Sequence, residues 1–581
     1  MSVAFTNRRL PGVRFVAKAP PLDEQLPRMD VALFIGFAAE GPVNEPKVLE
    51  TARQFAEIFG ADLPLAWDDA EGRMIYAHLA PAVRAFFRNG GRRCWALSLG
   101  KAETFDPKEF LDPKLSGAGL GDLLNESDFI RFFSNNPRHL KGLHAALELE
   151  EVTIVAVPDA AHLGWVAATA PAVPAPVPSS PPVRPDWWHF LDCPQMQEPL
   201  RVSQPEWGNF LDCALEIVAP PNLNAQNLND KGYELAWTAV NGADKYLLQE
   251  AAFPDFTDAI TVYEGANTNF KHYGRNAAEA FYRAQAVSGD AVSDWSNGVA
   301  VAGKALTTKK YLRPADFQNQ GLIEIHKALL RMCAARGDLL AVLSLPQHYR
   351  ENEAREHVKA VTANEETRAG SYAAVYHPWP IAREEAAEVL TTMPPCGVAS
   401  GVLARQALAR GAWLAPANQT MRDVVALTPP VKRERWEDWQ ALQINLLRQE
   451  PRGFMALSAD TLSRDRDYRD INVRRLMSLL RRLAAERGPA FVFEPNDGRL
   501  QRLVEREFRA ALEFMFQRGA FAGQTAGESF RVNVGPPVNT RQSVEQGRFI
   551  VELRVAPAQP LTFLTVRLVQ TGARGFVLEE R

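Results

Sequence analysis

Mainly apolar runs of buried-strand length, the first of them unbroken, occur in two groups on either side of a long stretch that has none. This arrangement limits the fold more than any other feature. Val31–Phe37, Cys94–Leu99 and Val152–Val157 form the first group, and Leu339–Leu345 and Tyr372–Tyr376 the second. A strand that is apolar at every position must be covered on both faces, as parallel strands are inside an α/β layer structure. The intervening segments carry helical periodicity. Leu49–Phe59 places Phe55, Ile58 and Phe59 on one side; Ile75–Phe87 contains Pro81, which either kinks a helix or marks its true start. Ile323–Ala335 brings Ile323, His326, Leu330 and Cys333 close in register and stops at Arg336-Gly337-Asp338. The expected core is an α/β domain with a largely parallel sheet, discontinuous over residues 29–165 and 310–422. The stretch between 160 and 320 reads as an insertion into that domain.

The chain's 41 prolines exceed the usual share of about 5 %, and much of the excess is local. Pro171–Pro185 holds seven prolines among small residues. As polyproline II it spans about 45 Å, a semi-rigid spacer. After it, Pro185-Asp186-Trp187-Trp188-His189-Phe190-Leu191-Asp192-Cys193 is echoed by Pro205-Glu206-Trp207-Gly208-Asn209-Phe210-Leu211-Asp212-Cys213. Packing of the two aromatic copies accounts for this duplication better than metal ligation, which lacks CxxC or paired-His spacing, or a Cys193–Cys213 bridge. Residues 166–219 are thus a stalk with a duplicated motif.

Residues 220–305 change to short alternating runs, Tyr233–Trp237, Tyr246–Glu250, Ile260–Tyr263 and Phe281–Val287, several separated by turns such as Asn241-Gly242 and Ser288-Gly289-Asp290. Period-two strands without helices argue for an all-β, immunoglobulin-like sandwich. Trp237, Gly242–Tyr246, Phe281-Tyr282-Arg283 and Ser293–Asn297, in that order, resemble a fibronectin type III module.

Residues 423–570 read as a second, α+β domain. Leu476, Leu479, Leu480 and Leu483 form a stripe, with Arg474, Arg475, Arg481 and Arg482 turned elsewhere as a solvated face. Phe491-Val492-Phe493 is a short strand. Val504, Phe508, Leu512 and Phe516 form another stripe before Gly519, a helix stop, and Phe549–Val555 and Leu561–Val569 alternate as strands. Extended arms, 1–28 and 571–581, flank the whole and carry the β-prone patches Val13-Arg14-Phe15-Val16 and Phe576-Val577-Leu578.

Lys plus Arg is 65 and Asp plus Glu 69, a net charge of −4, so no nucleic-acid partner is implied. Five cysteines are an odd count that suits a reducing compartment. Met1–Pro20 has no apolar signal-like run, and no run approaches the roughly 20 residues needed to cross a bilayer. Cytoplasmic assembly without membrane insertion is expected, with release in extracellular particles after lysis. Gly298–Ala305 is one residue from a phosphate loop, but Ala305 stands where the Mg²⁺-holding hydroxyl belongs, in a strand context. Gly397–Gly401 displaces the serine of a nucleophile elbow. His78, His162, His326 and His377 read as structural, and Arg336-Gly337-Asp338 as a helix stop. No catalytic residue, cofactor or metal site is assigned, and an enzyme is not expected.

Several separated motifs resemble contractile tail sheath proteins. Pro11-Gly12-Val13, Val31–Pro42 and Phe86–Cys94 match the N-terminal half of that family. Ala334–Pro346, Tyr372–Pro380, Pro394–Gly397, Ala415–Asn418, Asp470–Leu476 and Phe493–Asp497 continue the match in order. The resemblance implies a structural subunit of a phage tail or contractile injection system. Such subunits polymerise with themselves as stacked hexameric rings around an inner tube, between baseplate and cap proteins, and contract. It also implies inter-subunit pairing through the terminal strands, and a tube-facing helix on which Arg502, Arg506 and Arg509 either supply charge complementarity or form a solvated face. The insertion departs from the compact family pattern and is expected on the outside, as a spacer or decoration before a binding module. The alternative class is a secreted hydrolase or surface-binding protein with an accessory sandwich.

Overall fold

The computed structural model describes residues 26–168, 221–302, 308–558, 564–570 and 576–580, apart from 72, 102–103, 228–231, 252–254, 258, 274–278, 290, 384–389, 492–493, 496, 537 and 547. The Val13–Val16 patch, the proline stalk and the duplicated motif with Cys193 and Cys213 lie outside these residues. The chain divides into two compact units, one of residues 1–166 with 311–581, the other of residues 167–310.

The larger unit is built on a nine-stranded sheet. In chain order its strands are β1 (Ala32–Gly36), β2 (Lys47–Leu49), β3 (Cys94–Ser98), β4 (Ile154–Ala156), β5 (Leu340–Ser344), β6 (Ala373–His377), β7 (Gln419–Thr420), β8 (Ile444–Glu450) and β9 (Gly453–Ala456). Their order across the sheet is β2-β3-β1-β4-β5-β6-β8-β9-β7. The neighbours from β3 through β8 pair in parallel, and β1, β3, β4, β5 and β6 are the predicted apolar runs. They are mainly apolar because helices cover both faces, leaving one apolar cluster on either side, and their polar positions Ser98, Ser344 and His377 are buried. On one side lie α1 (Leu79–Arg88) and α4 (Pro395–Arg410); on the other lie α2 (Gln320–Arg336) and α3 (Glu351–Thr362). Pro81 sits in the first turn of α1, where a missing N–H is tolerated, so it marks the start of the helix and makes no kink. Residues 73–76 form a strand paired with Pro64–Asp68, which is why the helix begins later than its periodicity suggested. Gly337, in the left-handed region at φ 79°, caps α2 and donates to the Cys333 carbonyl at 2.8 Å.

Two boundaries differ from expectation. β8 pairs with β6, so residues 444–456 extend the central sheet and the C-terminal region cannot begin as a separate domain at 423. Its own elements start with α5 (Ile471–Arg487), followed by α6 (Gly498–Gln517) and an antiparallel sheet of β10 (Phe530–Asn533), β11 (Ile550–Val555), β12 (Leu564–Gln570) and β13 (Phe576–Glu580). Phe491 belongs to a 3₁₀ turn, Gly488–Phe491, and buries its ring in the cluster shared by α5 and α6, so no strand begins there.

The smaller unit contains a three-stranded and a five-stranded antiparallel sheet. All four predicted runs are strands, and Leu223, Leu235, Trp237, Tyr246, Leu248 and Tyr282 are among the residues of one apolar cluster. Val299–Ala302, inside the phosphate-loop-like motif, pairs antiparallel with residues 279–282. That pairing supplies none of the strand-to-helix geometry a phosphate loop requires.

Candidate assembly surfaces

The C-terminal layer is fixed by arginines on α5 that the apolar periodicity had assigned to solvent. That reading is wrong for Arg474, Arg475 and Arg482, which are 1 %, 3 % and 9 % exposed. The helix is buried on nearly every side. Each guanidinium has partners far away in sequence, as a buried cation requires. Arg475 donates to the Leu403 carbonyl at 3.1 Å and to the Met29 carbonyl, and burial lowers its pKa to about 10. Arg474 lies over the Tyr372 ring at 4.2 Å and the Tyr468 ring at 5.1 Å. Arg482 donates to the Glu150 carbonyl at 2.7 Å and to Asp338 Oδ2 at 2.8 Å. Arg336 meets the same carboxylate at 2.8 Å and donates to the carbonyls of Ala146, Leu149, Glu150 and Val152. One carboxylate thus joins two arginines from distant segments and ties α5 to the loop before β4.

His78 and His162 are likewise tied into the fold, through Asp159. Asp159 Oδ2 accepts the Phe37 N–H at 2.8 Å, and Oδ1 accepts the His78 N–H at 2.5 Å and faces His162 Nε2 at 3.0 Å. The His78 and His162 rings stack with centroids 3.9 Å apart. Burial holds His162 neutral, with its pKa lowered to about 3. A Cβ on Gly36 would stand 2.0 Å from Asp159 Oδ2, so only glycine fits beside this bracket. His162 Nδ1 meets the Tyr311 hydroxyl at 3.2 Å, and the cluster organises backbone turns after β1 and β4.

α6 presents the opposite arrangement. Asp497 caps it by accepting the N–H groups of Arg499 and Leu500 at 2.8 and 3.0 Å, and these bonds pull its carboxyl pKa down. Leu500, Val504, Phe508, Ala511, Leu512 and Met515 are buried. The three candidate residues Arg502, Arg506 and Arg509 are exposed, placed by the helical repeat on the opposite face. Arg509 pairs with Glu505 one turn earlier at 2.6 Å, while the other two leave the stripe basic. The helix stops at Gly519, at φ 75°, as predicted.

Phe576, Val577 and Leu578 lie on β13, which pairs with Gln570, Val569 and Leu568 of β12 in the same chain. They are therefore part of an ordered sheet in this chain, not a free arm. β10 and β13 are the outer strands of that sheet, and an outer strand offers its unpaired backbone groups as a template for another chain. The structure places this edge and the basic stripe of α6 in one C-terminal layer, and leaves Val13, Arg14, Phe15 and Val16 outside the described residues.

Residues 463–571 match the family model of the phage tail sheath C-terminal domain. A chain of the contracted anti-feeding prophage baseplate aligns at 15 % identity over 97 % of both chains, with a TM-score of 0.51, which shows a shared fold. A chain of an extracellular contractile injection system, the contracted PVC sheath complex, aligns at 16 % identity over 96 % of both chains with a TM-score of 0.48. The contracted anti-feeding prophage helical sheath aligns at 17 % identity over 96 % of this chain and 98 % of that one, also with a TM-score of 0.48. No match was found among curated protein sequences. The matched segment begins just before α5 and ends just after β12, so it contains the buried arginine ties, the basic stripe of α6 and three strands of the terminal sheet; over this segment the chain is similar to the C-terminal domain of phage tail sheath proteins.

Proposed function

We propose that this protein is the sheath subunit of a contractile injection system or phage-like tail. Copies of it assemble as stacked hexameric rings around an inner tube, on a baseplate and beneath a cap, and contraction drives the tube through a target envelope. The observation that carries the reading is the sheath-family C-terminal domain at 463–571. Its role is mechanical and requires no turnover. Terminal strands join neighbours: Val13–Val16 of one copy adds to the terminal sheet of another, where β13 supplies an outer strand. Backbone pairing of this kind survives large subunit rotations because it asks little of side chains. Arg502, Arg506 and Arg509 face the tube and steer its docking by charge. The insertion is a fibronectin type III-like sandwich on the outside of the cylinder, a decoration repeated on every subunit. Assembly takes place in the cytoplasm, and particles leave by lysis.

Electron microscopy of producing cells and lysates tests this directly. Striated tubes that disappear when the gene is deleted are the expected result; unchanged tubes, or none in either case, overturn it. A chain lacking residues 1–20 should fold normally and fail to polymerise, and normal sheaths from it would remove the strand-exchange part.

A further inference from the structure

The central sheet opens, at the carboxyl ends of β5 and β6, onto a cavity of about 400 Å³. Small-molecule sites span about 300–1,000 Å³, and open α/β sheets receive ligands outside the carboxyl ends of their strands, where the loops diverge. The buried part of its lining is aromatic: Tyr349 after β5, His377 at the end of β6, and Trp439. Arg350, Lys432 and Arg435 line it as exposed cations, with Glu351 the carboxylate beside them. Arg435 is engaged by Glu351 at 3.4 Å and by Asp438 at 3.2 Å. Arg350 makes one long bond of 3.5 Å to the Tyr349 carbonyl, and Lys432 has no ion pair among the described residues. Two cationic groups therefore remain available to an anion.

His377 is the second, independent observation. Its ring stacks on Trp439 with centroids 4.6 Å apart and planes 4° from parallel. It is fully buried, yet neither ring nitrogen finds a hydrogen-bond partner among the described residues. Whichever tautomer it adopts, one N–H and one lone pair are left over. Orphaned buried groups are few in folded proteins, and each calls for a reason. Burial lowers its pKa to about 3, so near neutral pH it offers one donor and one acceptor and no charge. A hydroxyl group can complement either one, accepting from the N–H or donating to the lone pair.

We propose that this cavity binds a small hydroxylated aromatic carboxylate, its ring against Tyr349, Trp439 and His377, its hydroxyl on the His377 imidazole and its carboxylate between Arg350 and Lys432. The cations select the charge, the aromatic lining selects a flat apolar body, and the imidazole selects the hydroxyl. The function proposed for the C-terminal domain neither supplies nor requires this site.

Titration calorimetry on the full chain with 4-hydroxybenzoate tests it. Saturable binding is expected, weakened at least roughly tenfold for 4-hydroxybenzamide, which lacks the charge, and several-fold for benzoate, which lacks the hydroxyl. Lys432→Glu and Arg350→Gln, both at exposed positions, should each weaken the acid without moving the thermal midpoint. His377→Phe keeps a stacked ring and should abolish the preference for 4-hydroxybenzoate over benzoate; should that variant fail to fold, the ligand series on the unaltered chain decides the point. No saturable heat, equal affinity for acid and amide, or inorganic phosphate binding as tightly as the aromatic acid would each overturn the assignment.

Discussion

α5 and α6 belong to one C-terminal layer, share one apolar cluster and are both rich in arginine, yet they use that residue in opposite ways. On α5 the guanidinium groups are buried: Arg475 and Arg482 spend donors on carbonyls and one carboxylate far away in the chain, and Arg474 lies over the Tyr372 and Tyr468 rings. On α6 those of Arg502, Arg506 and Arg509 are exposed, with one ion pair a turn away. The difference teaches that arginine content says nothing about role until the partners are known. A buried guanidinium without partners would be intolerable, so it appears only where the backbone presents several carbonyls at once. An exposed one is close to neutral for the fold and is left free to meet another molecule.

Acid gives the largest expected effect. Arginines stay charged across the acid range, so the guanidinium groups of neither helix titrate there. Burial lowers His162 and His377 to about 3 and His144 and His357 to about 4. Above about pH 6.5 these imidazoles are neutral whether the chain is folded or not, and they cost nothing. As the pH falls below that value the unfolded chain takes up protons that the folded chain refuses, so stability falls toward pH 3–4, by at most ~1.4 kcal/mol per group per pH unit. Urea unfolding midpoints should therefore drop steeply between pH 7 and pH 5. A flat profile would show that the histidines are not buried as described.

The comparison itself is put under strain by Arg482→Ala. Removing this guanidinium leaves Asp338 and the Glu150 carbonyl each with Arg336 as a remaining partner, so the loss is that of the hydrogen bonds Arg482 made, about 1.5–3 kcal/mol. Chemical denaturation at neutral pH measures it, and a loss below ~1 kcal/mol would place Arg482 with the surface residues of α6. Arg475→Lys is the gentler version. An ammonium group cannot reach two diverging carbonyls as a planar fork does, so the Met29 or the Leu403 carbonyl is left unpaired at a cost of about 1.5–3 kcal/mol. Wild-type stability in the lysine variant would mean that charge alone, and not the fork, holds α5.

These two helices also mark where the sequence was legible. The stripe Val504, Phe508, Leu512 could be read because α6 is covered on one face only, and periodicity reports one-sided burial. The strands β1, β3, β4, β5 and β6 could be read because burial on both faces leaves few polar positions. α5 was misread for a related reason. A helix buried all round has no polar face, and its arginines take partners such as Met29, 446 residues away from Arg475. No local pattern records a contact at that distance. The misplaced boundary at 423 has the same origin, since β8 looks like any short strand until its pairing with β6 is known. Phe576–Leu578 alternates as an arm or as an edge strand would, and only its register with β12 decides between them.

The smallest effect on the fold belongs to charge reversal on α6, and that contrast makes it the sharpest test of the pair. Arg502→Glu and Arg506→Glu remove exposed cations that form no ion pair among the described residues, so each should shift stability by no more than about 0.5 kcal/mol. Arg509→Glu sets a second carboxylate one turn from Glu505 and adds a like-charge penalty of about 0.2–0.5 kcal/mol, reduced by solvent and salt. The triple variant should therefore fold, with an unfolding midpoint close to that of the unaltered chain and far above that of Arg482→Ala. Under the proposed function it should nevertheless fail to form a sheath on the inner tube, because a basic face would meet its partner as an acidic one. Co-expression with the tube protein followed by electron microscopy reads the outcome. Sheathed tubes of normal length would return the α6 stripe to the status of a solvated face, and a variant that unfolds would show that α6 is bound into the core as tightly as α5.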